Sequence, residues 1–215
     1  MDKRKLRHRL ERTLHWVIAP GLVLVIGIGL YGDALPYAAG RDAAWTVTVY
    51  GLHKTAGLAM LYLAVGFALS MRPWRRRAAA TGRISWAMPL GRAVFWGLLV
   101  GALVIPLTGP ILHGMGPGWG YAPIWWPFGD RVPGVPERFA TDPNLRALHI
   151  ASWWLFAGLA ITHVALACRR WLIQSQGATA RRTIRWRMPA IAYRIAPVIG
   201  AGLWVVLAAL VWGKN

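Results

Sequence analysis

The chain is poor in the residues on which many soluble enzymes rely. It has a single cysteine, Cys168, in 215 residues. One cysteine excludes an internal disulfide, a CxxC metal site and the CxxCH attachment of a c-type haem. Any haem here is held without a covalent link. Acids are scarce too, with seven Asp and Glu against 25 Lys and Arg. None of them lies inside the long apolar runs, which leaves a proton relay through those runs without carboxylates. No internal repeat stands out. The chain has no phosphate-cradling glycine loop and no serine–histidine–acid arrangement.

What is abundant is apolar. Hydrophobic residues make up 56% of the chain and charged ones 15%. Several apolar runs reach the ~20 residues that a bilayer-spanning helix requires. The sequence predicts an all-α integral membrane helix bundle, folded as one transmembrane domain over residues 1–215.

A net charge of +18 in a soluble protein would point to nucleic acid, but its distribution argues otherwise. Residues 1–14 carry Lys3, Arg4, Lys5, Arg7, Arg9 and Arg12. Residues 72–92 carry Arg72, Arg75, Arg76, Arg77, Arg83 and Arg92 and no acid. Residues 169–194 carry Arg169, Arg170, Arg181, Arg182, Arg185, Arg187 and Arg194, again without an acid. Segments 31–50 and 110–146 hold four arginines, offset by Asp33, Asp42, Asp130, Glu137 and Asp142.

Basic and near-neutral loops therefore alternate, as the positive-inside rule requires. Five spans fit the alternation, at about 14–31, 46–71, 91–109, 146–169 and 192–212, with a cytoplasmic N-terminus and an external C-terminus. The basic start followed by an apolar run also has the form of a signal peptide. The length of the run, and a flank that already fits the topology, argue against cleavage. The charge sets topology and can meet anionic lipid; no nucleic-acid partner is expected.

Pro20 should bend the first span slightly. Gly97 and Gly101 have the GxxxG spacing that lets helices approach closely, and they read as packing. The external stretch 110–145 is rich in proline and glycine and holds Trp119, Tyr121, Trp125, Trp126 and Phe128. Its composition forbids a long helix and suits a segment at headgroup level. A docking surface or a lid near the outer face is the sharper reading.

Of six histidines, His15, His53, His149 and His163 lie in the predicted spans, where ionisable groups tend to be functional. His149 and His163 are fourteen positions apart, roughly 21 Å along a helix and within roughly 40° of one face. The topology sorts the four into two level pairs. His15 and His163 stand at the cytoplasmic side, His53 and His149 at the external side. Two such pairs without thiolates or carboxylates suit b-type haem, whose iron accepts an imidazole on each axial face. Zinc prefers three or four convergent ligands. Ala19, Gly57 and Ala167 lie one turn beyond His15, His53 and His163 and leave room for a flat macrocycle. His8 falls in the basic tail and reads as solvated; His113 falls on the external loop, with a role near the outer pair as the alternative.

With RTLHW at 12–16, HKTAG at 53–57 and the H-x13-H spacing of 149–163, residues 8–172 resemble a family of membrane di-haem cytochromes b. That family includes bacterial cytochrome b561, the cytochrome b subunit of nickel–iron hydrogenases and the gamma subunit of formate dehydrogenase. The resemblance implies a four-helix di-haem core, to which the fifth span is an addition. It implies that His15 and His163 ligate a cytoplasmic-side haem b, that His53 and His149 ligate an external one, and that electrons are exchanged with quinone or quinol. Lys54 and Arg12, beside these ligands, are placed either to pair with haem propionates or to act as ordinary interfacial anchors.

The expected function is transmembrane electron transfer by a multi-pass cytochrome b of the bacterial inner membrane, as the membrane subunit of a periplasmic oxidoreductase. One alternative is a stand-alone quinone reductase that oxidises a small donor such as superoxide. A haem-free membrane anchor or transporter, with its histidines in the core or on a substrate, is a further one.

Overall fold

Inside a bilayer, backbone N–H and C=O groups find no water, so a spanning apolar run closes its own hydrogen bonds as a helix. The computed structural model describes residues 3–35, 41–71, 83–113, 124–125, 143–175, 187–189 and 191–213. In chain order these form α1 (Lys3–Asp33), α2 (Arg41–Ser70), β1 (Arg83–Ser85), α3 (Ala87–His113), α4 (Pro143–Ser175), β2 (Arg187–Pro189) and α5 (Ile191–Trp212). All five helices are long and apolar enough to cross a membrane. The protein is an all-α membrane helix bundle.

Each expected span falls on one helix, and several helices run further than hydropathy suggests. The basic tail continues α1 back to Lys3, with an ion pair between Arg7 Nε and Glu11 Oε1 at 3.1 Å. α1 also runs uninterrupted through Pro20. α3 continues through Pro106 and Pro110 to His113, so the stretch expected to be irregular from residue 110 is helical over its first four residues. Each proline removes one helical hydrogen bond, which neighbouring helices in a membrane protein can offset. Of that stretch, Ile124 and Trp125 are described; Trp119, Tyr121, Trp126 and Phe128 lie outside the described residues.

The chain divides into two compact units, Met1–Met71 with Ala102–Ile150, and Arg72–Gly101 with Ala151–Asn215. In the first unit α1 and α2 pack antiparallel. Gly32 lies against Tyr50, Gly29 against His53 and Gly21 against Met60. The indole Nε1 of Trp45 donates to the Tyr31 hydroxyl at 3.1 Å, between the last turn of α1 and the first turns of α2. Such contacts matter because lipid tails are as apolar as leucine, so close packing and polar contacts drive association where the hydrophobic effect does not.

In the second unit, α3 packs antiparallel to α4, with Gly91 near Leu166, Gly97 against Leu159 and Gly101 against Phe156. α5 packs parallel to α3. Its buried stripe is Ala196, Gly200 and Trp204, one residue per turn. Gly200 sits on the backbone of Ala93 and Gly97, and the Trp204 ring fills the notch above Gly101. The Trp204 indole donates to the Gly97 carbonyl at 2.8 Å. The GxxxG pair therefore accommodates an aromatic ring on one helix and branched side chains on another. The remaining faces of α5, including Val198, Val205 and Leu210, are exposed, as a lipid-facing helix requires. β1 and β2 pair antiparallel, Ile84 opposite Met188, and join the segments that lead into α3 and α5.

Candidate functional site

His53 and His149 come together within the first unit. Their ring centres are 6.4 Å apart and their planes stand at 83°. Two imidazoles that ligate one first-row metal from opposite sides, each about 2.0 Å from it, have ring centres roughly 6 Å apart. The spacing fits an axial pair.

The hydrogen bonds fix which nitrogen would face a metal. His53 Nδ1 lies 2.9 Å from the Val25 carbonyl on α1. A carbonyl only accepts, so the proton is on Nδ1. His149 Nδ1 lies 3.0 Å from the Thr108 hydroxyl on α3. That hydroxyl has one proton and donates it to the Ile105 carbonyl at 3.0 Å, so it accepts from His149. Both rings are thereby placed in the Nδ1–H tautomer, with the lone pair on Nε2. A metal-ligating histidine takes this form, its other nitrogen donating to a backbone or side-chain oxygen.

Two glycines make room for the rings. A Cβ at position 29 would stand 2.6 Å from Cε1 of His53, and one at position 109 would stand 3.2 Å from Cε1 of His149. Gly57, the small residue one turn beyond His53, makes a different contact. A Cβ there would meet Val25 at an ordinary 3.8 Å. Space at His53 is created from the facing helix rather than from its own.

Next to His53, Lys54 is 5% exposed, the one charged side chain among the buried described residues. Thr55 follows, donating to the Gly51 carbonyl at 2.7 Å and accepting the backbone N–H of Trp125 at 2.9 Å. The described part of the outer stretch is thus fastened to α2 two residues from His53, with Ile124 buried and the Trp125 side chain exposed. The donor set fits a flat cofactor held between two axial imidazoles. Among the described residues, no group of three or more His, Cys, Asp or Glu converges as a multidentate metal site would need.

The other sequence-derived residues lie apart from this cluster. His15 is on α1 in the first unit, exposed, with its ring edge-on to Trp16 at 5.5 Å between centres. Arg12, one turn earlier, is exposed. His163 is half-buried on α4 in the second unit. His8 is exposed on α1, and His113 ends α3 with its side chain outside the described residues.

Val25, Thr108, Gly29 and Gly109 escaped the sequence reading. The one available signal was Thr108, a hydroxyl in an otherwise apolar run beside Gly109. Compared with known proteins, residues 7–184 match the family described as prokaryotic cytochrome b561. No curated protein and no solved structure matches the chain.

Proposed function

The chain belongs to the prokaryotic cytochrome b561 family, whose members carry electrons through b-type haem within the membrane, and from that premise we propose that it conducts electrons across the bacterial inner membrane through two bis-histidine b haems. His53 and His149 hold the outer haem, and His15 and His163 the cytoplasmic one. One end of the path exchanges electrons with quinone or quinol. The other meets a periplasmic oxidoreductase for which this chain is the membrane subunit.

The observation that carries the reading is the outer pair: two imidazoles at the spacing of an axial set, both in the Nδ1–H tautomer. A b haem held by His53 and His149 would supply one-electron redox chemistry. The protein's own residues do the positioning. Val25 and Thr108 hold the two rings against rotation and raise the basicity of Nε2. Gly29 and Gly109 let α1 and α3 approach the rings. Lys54, buried beside His53, supplies a positive charge for an outer-haem propionate, and Arg12, one turn before His15, does so at the other end. The exposed Trp125 and the fastening of its backbone to Thr55 offer a partner a fixed aromatic contact near the outer site. An electron that crosses the whole bilayer works with or against about 2.3 kcal/mol per 100 mV of membrane potential.

The test is spectral. Reduced-minus-oxidised spectra and pyridine haemochrome should give split b-type bands and two haems per chain. His53→Ala, His149→Ala and their combination should each remove the same haem, and His15→Ala and His163→Ala the other. Additive losses from His53→Ala and His149→Ala would break the pairing. A colourless, stable preparation would end the haem reading altogether. Co-purification of a molybdenum, nickel–iron or iron–sulfur subunit tests the periplasmic partner.

A further inference from the structure

The second unit contains no Asp or Glu. Residues 72–101 and 151–215 together carry thirteen arginines and one lysine. Positive-inside sorting accounts for charge on one side of the membrane. Beyond that sorting, the β1–β2 ribbon pairs the backbone of residues 83–85 with that of residues 187–189, one stretch from each basic segment, with position 83 opposite 189 and 187 opposite 85. Drawing two acid-free segments together raises their mutual repulsion, and no carboxylate in this unit offsets it.

Two arginines at this end have fixed positions. The guanidinium of Arg169, near the end of α4, lies over the ring of Trp86, the residue between β1 and α3, at 5.1 Å from its centre. The guanidinium of Arg92 on α3 lies over Tyr193 in the first turn of α5, at 4.2 Å. Stacking uses the flat face of a guanidinium and leaves its N–H donors in the plane of the fork. Those donors match phosphate oxygens in bidentate geometry. Arg170 and Arg194, each next in sequence to a member of these pairs, are exposed and add to the local field.

We propose that this end of the second unit binds the phosphate headgroup of an anionic phospholipid, with Arg92 and Arg169 as its stacked donors and Tyr193 and Trp86 as their platforms. The occupant is lipid rather than a soluble polyanion because of depth. Trp86 and Tyr193 stand where the ribbon gives way to the apolar helices α3 and α5, the headgroup level at which amphipathic aromatics settle. A phosphodiester of the surrounding leaflet already lies there. A nucleic acid or an acidic protein would have to displace it.

Native mass spectrometry of the full purified chain, mixed with equimolar phosphatidylglycerol and phosphatidylcholine of the same acyl length, reads the site directly. Phosphatidylglycerol should be retained in preference, with a selectivity that falls as salt rises. Two double variants separate a built site from charge alone. Arg92→Lys with Arg169→Lys keeps every charge, and with it the topology, but loses the planar fork. Trp86→Leu with Tyr193→Leu keeps every arginine and removes the platforms. Each should lower the selectivity about two- to five-fold, the size of effect of one exposed guanidinium–ring contact. Haem content, measured in parallel, should stay at the wild-type level.

Equal retention of the two lipids by the wild-type chain would overturn the proposal. So would wild-type selectivity in the Arg→Lys pair, which decides the matter even if the aromatic variants fail to fold. Displacement of phosphatidylglycerol by a short RNA, or by inorganic phosphate at millimolar concentration, would reassign the surface to a soluble anion and also overturn it.

Discussion

The hydroxyl of Thr108 has one proton, and its destination decides how His149 is held. Given to the Ile105 carbonyl, it leaves the oxygen to accept from His149 Nδ1. Thr108→Val keeps the shape and removes the hydroxyl acceptor, leaving the Ile105 carbonyl as a second partner for the ring. A hydrogen bond at Nδ1 makes the ligating nitrogen more basic and favours the oxidised metal. Its loss should raise the midpoint potential of the outer haem and weaken haem retention by about 10–100-fold. Potentiometric titration followed at the haem bands checks both, and Thr108→Ser should restore the wild-type values. Gly29→Ala puts a methyl group against the His53 ring and should displace it, lowering outer-haem occupancy while leaving the cytoplasmic haem in place. Equal loss of both haems would mean that the helix pair, not the ring, had moved. His53 and His149 stood out in the sequence because imidazoles are rare in apolar runs. Their supports did not. Val25 and Thr108 are 28 and 41 residues away from the rings that they hold, and glycines are too common in membrane helices for Gly29 or Gly109 to be singled out.

Among the elements, α5 has the most sharply defined fit. Trp204 is 5% exposed and bonded to a backbone carbonyl, and a Cβ on Gly200 would collide with the carbonyl of Ala93. A backbone oxygen cannot turn aside as a side chain can. Gly200→Ala should therefore destabilise by roughly 1–3 kcal/mol, the usual range for overpacking. Trp204→Phe should lose the indole hydrogen bond, about 0.6 kcal/mol in a membrane protein, and also the benzo-ring atoms that fill the notch above Gly101, leaving a cavity. Thermal unfolding of the detergent-solubilised chain measures both; wild-type stability in either variant would contradict this packing. Hydropathy placed all five spans on helices and missed their ends. The extension of α1 to Lys3 is amphiphilic rather than apolar, and α3 runs on through Pro110, a residue that ends helices in water more readily than among neighbouring helices. GxxxG at 97–101 signalled close approach. It could not signal that the guest is an indole from beyond the family-matched region, which stops at residue 184.

For the molecule as a whole, the arginine distribution is the most legible feature of the sequence. Three basic segments alternate with near-neutral ones, an order from which the positive-inside rule expects the N-terminus in the cytoplasm and the C-terminus outside. A reporter that fluoresces only in the cytoplasm should work at the N-terminus, and a phosphatase that folds only in the periplasm should be active at the C-terminus. The opposite pattern would invert the assignment of inner and outer histidines. The pairing of two basic segments through a ribbon was not legible, because strands of three residues leave no periodicity to read.

The parallel seating of α5 on α3 also bears on how the protein is made. α5 leaves the ribosome after both α3 and α4, so the groove at Gly97 and Gly101 is built before the side chain that fills it exists. Until residue 204 arrives, the groove lacks the ring that fills it and the Gly97 carbonyl lacks its indole donor. The last stage of assembly thus closes on one named contact, an indole proton set on a backbone oxygen of a helix made two spans earlier.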